Sequence, residues 1–179
     1  MKKIFILLIA LIAIIIFIFY KFNYSYKAQI EKYDFSIEDI VSEEGYSMDA
    51  KHLTNIVLLA DGEKIGLIQV RNKGFLRWVD QSNSVVQNPS SSEFAVSNLS
   101  IMKNKGENVY SEIHTFVAGY MEKENIQKIG SPTDFYLNID TYDMNGKTLL
   151  FAHAIVGKEH TSFGSEDVIN FIKNEIGSK

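Results

Sequence analysis

From Ile4 to Tyr20 the chain runs for seventeen residues without a charge, a glycine or a proline, directly after Lys2 and Lys3. As a helix rising about 1.5 Å per residue, that run covers roughly 25 Å, near the lower limit for a hydrocarbon core of about 30 Å. Lys3 and Lys21 extend the reach by carrying their ammonium groups toward the headgroups, and Tyr20, Phe22, Tyr24 and Tyr26 are the aromatic types that favour the interface. A cleaved signal peptide is the main rival, but its apolar region is usually about 7 to 15 residues long and small residues flank the cut. Here Lys21, Phe22, Asn23, Tyr24, Ser25, Tyr26, Lys27 and Ala28 follow, with no two small residues spaced two apart. Lipid attachment at a processed N-terminus requires a cysteine, and the chain has none. These features predict an uncleaved transmembrane signal-anchor over residues 1–21, so that residues 4–20 make the membrane itself a partner. The lysines are balanced across the run, but the short basic flank followed at once by the apolar run is how exported chains begin. The expected topology is single-pass, with the C-terminal part outside the cytoplasm at the cell membrane.

Setting aside Lys2, Lys3 and Lys21 leaves 15 of the 18 basic residues against 22 acidic ones, a formal charge of −7. Such a surface repels polyanions, which disfavours nucleic acid and flat adsorption onto anionic lipid. Without cysteine there are no disulfides, thiolate nucleophiles or zinc-thiolate sites. Stability must come from a packed core, and about 150 residues bury roughly two-thirds of their unfolded surface.

The expected class is α+β: the transmembrane helix, a stalk over residues 22–35, and one extracytoplasmic domain over 36–179. That domain is expected to hold an antiparallel meander of about five to six strands, a middle helix and a C-terminal amphipathic helix. Ser36 and Asp39 form a capping pattern ahead of a short helix ending near Gly45, with Glu38, Asp39, Glu43 and Glu44 on its wet side. Residues 53–60 fit either helix or strand; the following Asp61-Gly62 favours a hairpin that sets Ile56 and Leu58 opposite Leu67 and Ile65. Asn72 to Gly74 turns into a strand over Phe75 to Val79, and residues 81–92 read as a long polar loop. Phe94 to Met102 reads as a strand. Between Val109 and Ile129 the positions Val109, Ile113, Phe116, Val117, Tyr120 and Met121 follow helical spacing, although Thr115, Phe116 and Val117 are strand formers. An Asn145-Gly146 turn joins strands Phe135 to Asp143 and Lys147 to Val156, and Ser165 caps a final helix carrying Val168, Ile169, Ile172 and Ile176.

The last hairpin holds the strongest candidate chemistry. A two-residue turn pairs Met144 with Lys147 and therefore Asn138 with His153, with Asp140 on the diagonal. One face then reads Phe135, Leu137, Ile139, Leu150, Ala152 and Ala154; the other gathers Tyr136, Asn138, Asp140, Tyr142 and His153. A carboxylate beside an imidazole can orient it and raise its basicity, as acid–base catalysis requires. His153 and Asp140 are the catalytic candidates, with Tyr136, Asn138 and Tyr142 as binding candidates. No nucleophile accompanies them, so a satisfied polar face is the plainer reading. Arg77 and Trp78, beside Phe75 and Leu76, are interface-type residues, balanced against an ordinary core role for the single Trp. His52, His114, His153 and His160 lack helical zinc spacing; no phosphate-cradling loop, dinucleotide fingerprint or serine elbow is present, and nothing implies a cofactor or metal. The sequence therefore reads as a membrane-tethered binding or interaction module facing an envelope protein or component, with a small envelope hydrolase using Asp140 and His153 as the alternative.

Overall fold

A computed structural model describes residues 2–49, 52–74, 77–105, 108–144, 146–156 and 163–177. Phe75, Leu76, Asn145 and His160 lie outside them. The chain is α+β. Its first helix, α1 (Lys2–Tyr24), is continuous through Phe22 and Asn23, so its apolar window extends over the 21 residues Ile4–Tyr24. At about 1.5 Å per residue that is roughly 31 Å, long enough to span a membrane. The large apolar side chains from Ile4 to Phe19 are 48–73% exposed, and no residue of that window is buried by the remainder of the protein.

Among the described residues eight strands follow in two antiparallel four-stranded sheets, rather than one meander of five or six. The first contains β1 (Ile40–Asp49), β2 (His52–Ala60), β3 (Lys64–Asn72) and β4 (Trp78–Gln87) in sequential order. The second holds β5 (Ala95–Lys105), β6 (Asn108–Met121), β7 (Tyr136–Met144) and β8 (Lys147–Val156), in the order β5-β6-β8-β7. Ile56, Leu58, Ile65 and Leu67 from the first sheet and Leu99, Phe116, Leu149 and Phe151 from the second form one shared core between the inner faces.

Each outer face is also covered. The short helix α2 (Tyr26–Glu31) and the segment after it bring Ile30 and Phe35 onto Val57, Leu59, Ile68 and Val70 of the first sheet. The C-terminal helix α4 (Ser165–Gly177) places Val168 and Ile172 on Val117, Leu150, Ala152 and Ala154 of the second. Ile169 and Ile176 join that cluster, so the expected apolar face of this helix is present.

This layering explains the departures from the sequence reading. Residues 109–121 are strand, not helix: from His114 to Met121 every residue is buried because both faces of β6 are covered, and continuous burial removes the period-two signal. The only helix described in that region is α3 (Lys123–Ile126). The expected polar loop over 81–92 is β4 as far as Gln87. This is an edge strand in which Val85 and Val86 pack into the two cores on opposite sides, while Asp80 accepts from Tyr33 and Ser84 from the Val96 N–H of β5. Ser36 and Asp39 do form a capping box, but it closes one 3-10 turn (Ile37–Asp39), and β1 replaces the expected helix.

The stalk reading fails from Tyr26 onward. Ile30 and Phe35 are buried, and the Tyr33 hydroxyl donates to the Asp80 carboxylate while accepting from Asn83 Nδ2 at 2.7 Å. Gly66 makes room for this segment, since a Cβ there would come within 2.9 Å of the Phe35 ring. Two turns are also refined. Leu58 pairs with Leu67 and Ala60 with Ile65, two residues from the register of a two-residue turn; the shift is even, so the inward face is unchanged. At α4, Gly164 precedes the helix and its N–H donates to Asp167 Oδ2 at 2.8 Å, while Ser165 is already helical.

Candidate functional site

The β7–β8 hairpin has the register expected of its turn: Met144 pairs with Lys147 and Asn138 with His153, and Gly146 has the positive φ, 82°, that such a turn requires. Its apolar set Phe135, Leu137, Ile139, Leu150, Ala152 and Ala154 faces α4. The other face is not an open polar surface, because it turns toward the first sheet and carries Leu149 and Phe151 into the inter-sheet core. His153 lies on that inner face toward one end, with only 12% of its side chain exposed.

Four residues from other strands meet it there. On β6, Phe116 is opposite His153 and His114 opposite Ile155, so the two imidazoles are diagonal neighbours on one face. His114 Nδ1 is 3.0 Å from His153 Nε2, and the Phe116 ring stacks on His153 at 4.4 Å between centroids. Across the core, Glu44 and Tyr46 of β1 complete the cluster: the Tyr46 hydroxyl donates to Glu44 and lies 3.5 Å from His153 Nδ1, itself 3.6 Å from Glu44 Oε2. At the other end Glu112 Oε2 lies 3.5 Å from His114 Nε2. The order is carboxylate, imidazole, imidazole, carboxylate.

Counting protons shows how the rings are coupled. One proton occupies the short contact between His114 and His153, whichever ring owns it. If both rings are neutral, one outer nitrogen is a bare lone pair directed at a carboxylate. Matching both carboxylates requires three N–H protons on the pair, hence one positive charge shared by two rings, so titration belongs to the pair. Burial, followed by the electrostatic influence of His114, pulls His153 down to about 4, while Asp140 acts in the opposite sense. At neutral pH His153 is therefore uncharged. Burial and then the Glu44 carboxylate push the Tyr46 hydroxyl above its ordinary range, so it remains a donor.

Asp140 reaches His153 only through its field. It pairs with Phe151, and its carboxylate accepts from Asn138 Nδ2 at 3.2 Å. Tyr136, Asn138 and Asp140 are exposed along the β7 edge, and Tyr142 is half-buried against the inner core. Arg77 and Trp78 are elsewhere. Trp78 packs on the outer face of the first sheet against Tyr26, and the Arg77 guanidinium is 5.1 Å from the Tyr24 ring. His114, Glu112 and Glu44 were missed because their segments were read as helices, and Tyr46 lies just past the stop expected near Gly45; as strands, the alternations Glu112-His114-Phe116 and Glu44-Tyr46 place each set on one face.

Among the described residues no group of three or more His, Asp or Glu side chains is arranged to hold a metal ion. At the opposite end of the sandwich a groove of about 700 Å³, wide open to solvent, is lined by Pro89, Ser91, Tyr120, Lys123 and Lys147 among others. Compared with known proteins, the chain matches no family model, no curated protein and no solved structure.

Proposed function

We propose that the protein is a membrane-tethered binding module, with α1 crossing the cell membrane and the two-sheet domain outside the cytoplasm. One observation carries this reading: no residue of the apolar window of α1 is buried, while the sheets fill their cores without it. Uncovered apolar area of that length is costly in water and is relieved by lipid.

The binding role is preferred to a hydrolase working through Asp140 and His153. Both ring nitrogens of His153 are engaged, by His114 on one side and by Glu44 and Tyr46 on the other, and Asp140 is bonded to Asn138. The cluster supports the fold's interior more readily than turnover. The open groove near Ser91 is within the roughly 300–1,000 Å³ typical of ligand sites, and it is the surface this reading assigns to an envelope protein or component. Carbonate washing followed by intact-mass measurement tests the tether. A full-length mass in the washed membrane pellet is expected; a soluble protein lacking its first 25 or so residues overturns it.

A further inference from the structure

The end of α1 and the domain are tied together rather than joined by a loose linker. Ser25 breaks the helix and caps α2, accepting from the Ala28 N–H at 3.1 Å, and Gln29 Nε2 donates back to the Asn23 carbonyl at 2.8 Å. α2 in turn packs on the first sheet through Ile30, which is fully buried. The domain is therefore held close to the level where α1 leaves its apolar window.

At that level the β3–β4 end of the first sheet meets the helix. Trp78 contacts Tyr26 edge-to-face at 5.0 Å, and Arg77 lies over Tyr24. Between them is a groove of about 200 Å³ lined by Phe17, Tyr20, Lys21, Ser25, Tyr26 and Trp78. Phe17 lies well inside the apolar window and Lys21 near its end, so the groove runs from the hydrocarbon side to the headgroup side. Its lining is mostly aromatic with the exposed Lys21 at its polar end, and the exposed Arg77, outside the lining itself, lies over Tyr24 one helical turn beyond Lys21. Aromatic rings with lysine and arginine are the residue types that settle at a membrane interface. The volume falls below the roughly 300–1,000 Å³ of a site for a whole soluble ligand, but it suits the upper part of an acyl chain.

We propose that the domain sits on the bilayer, with a phospholipid of that bilayer seated in this groove: its upper acyl chain against Tyr20, Tyr26 and Trp78, and its phosphate near Lys21 and Arg77. The inference rests on the membrane-spanning reading of α1 and adds a second, lipid-facing surface on the domain.

Trp78 is the only tryptophan, so its emission reports this groove alone. The full-length protein is reconstituted into phosphatidylcholine vesicles carrying bromine either high on the acyl chain, near the glycerol, or near the terminal methyl, and each sample is floated on a density gradient before measurement. The expected result is co-flotation, with Trp78 emission falling at least about twofold with bromine near the glycerol and markedly less with bromine near the methyl. Co-flotation with unchanged emission, or with stronger quenching from the deep bromine, overturns the lipid seat and leaves the anchor standing. A protein that fails to float overturns the anchor and the seat together.

Discussion

His114 Nδ1 lies 3.0 Å from His153 Nε2, and each ring turns its other nitrogen toward a carboxylate, Glu112 for His114 and Glu44 for His153. Two imidazoles on neighbouring strands thus share one proton position in the interior of a sandwich, far in sequence from the β1 residues that close the chain of contacts. Adding a proton to this pair acts directly on the contact between the two sheets.

That arrangement gives a pH dependence with a definite sign. His153 is held at about 4 in the fold against 6.5 as its ordinary value, so between those limits the unfolded chain binds the proton more readily. Its contribution to stability is full above about 6.5 and is lost as the pH falls toward 4, on the order of 2 kcal/mol after screening at its partly open edge. Urea unfolding at about pH 7 and about pH 5 should show the drop, and His153→Gln should reduce it. An acid response identical in the variant would assign the effect to other groups.

Substitution of His153 by Ala should also be costly at neutral pH. It removes the Phe116 stack and leaves His114 without its close partner in a buried place, roughly 1–3 kcal/mol. Leu150→Ala, on the opposite face against α4, should cost roughly 2–5 kcal/mol. A silent Leu150→Ala would contradict the facing of β8.

Phe35 distinguishes a folded segment from a stalk. It is 2% exposed and lies over Gly66, so Phe35→Ala should cost roughly 3–5 kcal/mol by thermal or urea unfolding. A soluble version beginning at Tyr26 should melt cooperatively, whereas one beginning at Ser36 should not. Equal melting of the two would restore the stalk.

The readable parts of the chain were those governed by local chemistry. Asn145-Gly146 sets its own register, and the pairing of Asn138 with His153 follows from it by counting. Ser36 and Asp39 identified a cap correctly, but a cap does not state how long the following helix is. β6 was illegible because sheet and helix cover both its faces; Ile113, Phe116, Val117, Tyr120 and Met121 then mimic a helical stripe. His114 and Glu112 were hidden for the same reason, since they belong to β6, whereas Glu44 and Tyr46 belong to an edge strand that only tertiary packing brings across the core.

The proposed placement of the domain outside the cytoplasm can be read at Ser91, an exposed position in the β4–β5 loop of a chain with no cysteine. With Ser91→Cys as the only thiol, a membrane-impermeant maleimide added to intact cells or spheroplasts should label the full-length protein to the same extent as after lysis. Labelling that appears only once the cells are broken would place the domain in the cytoplasm and overturn the proposed topology.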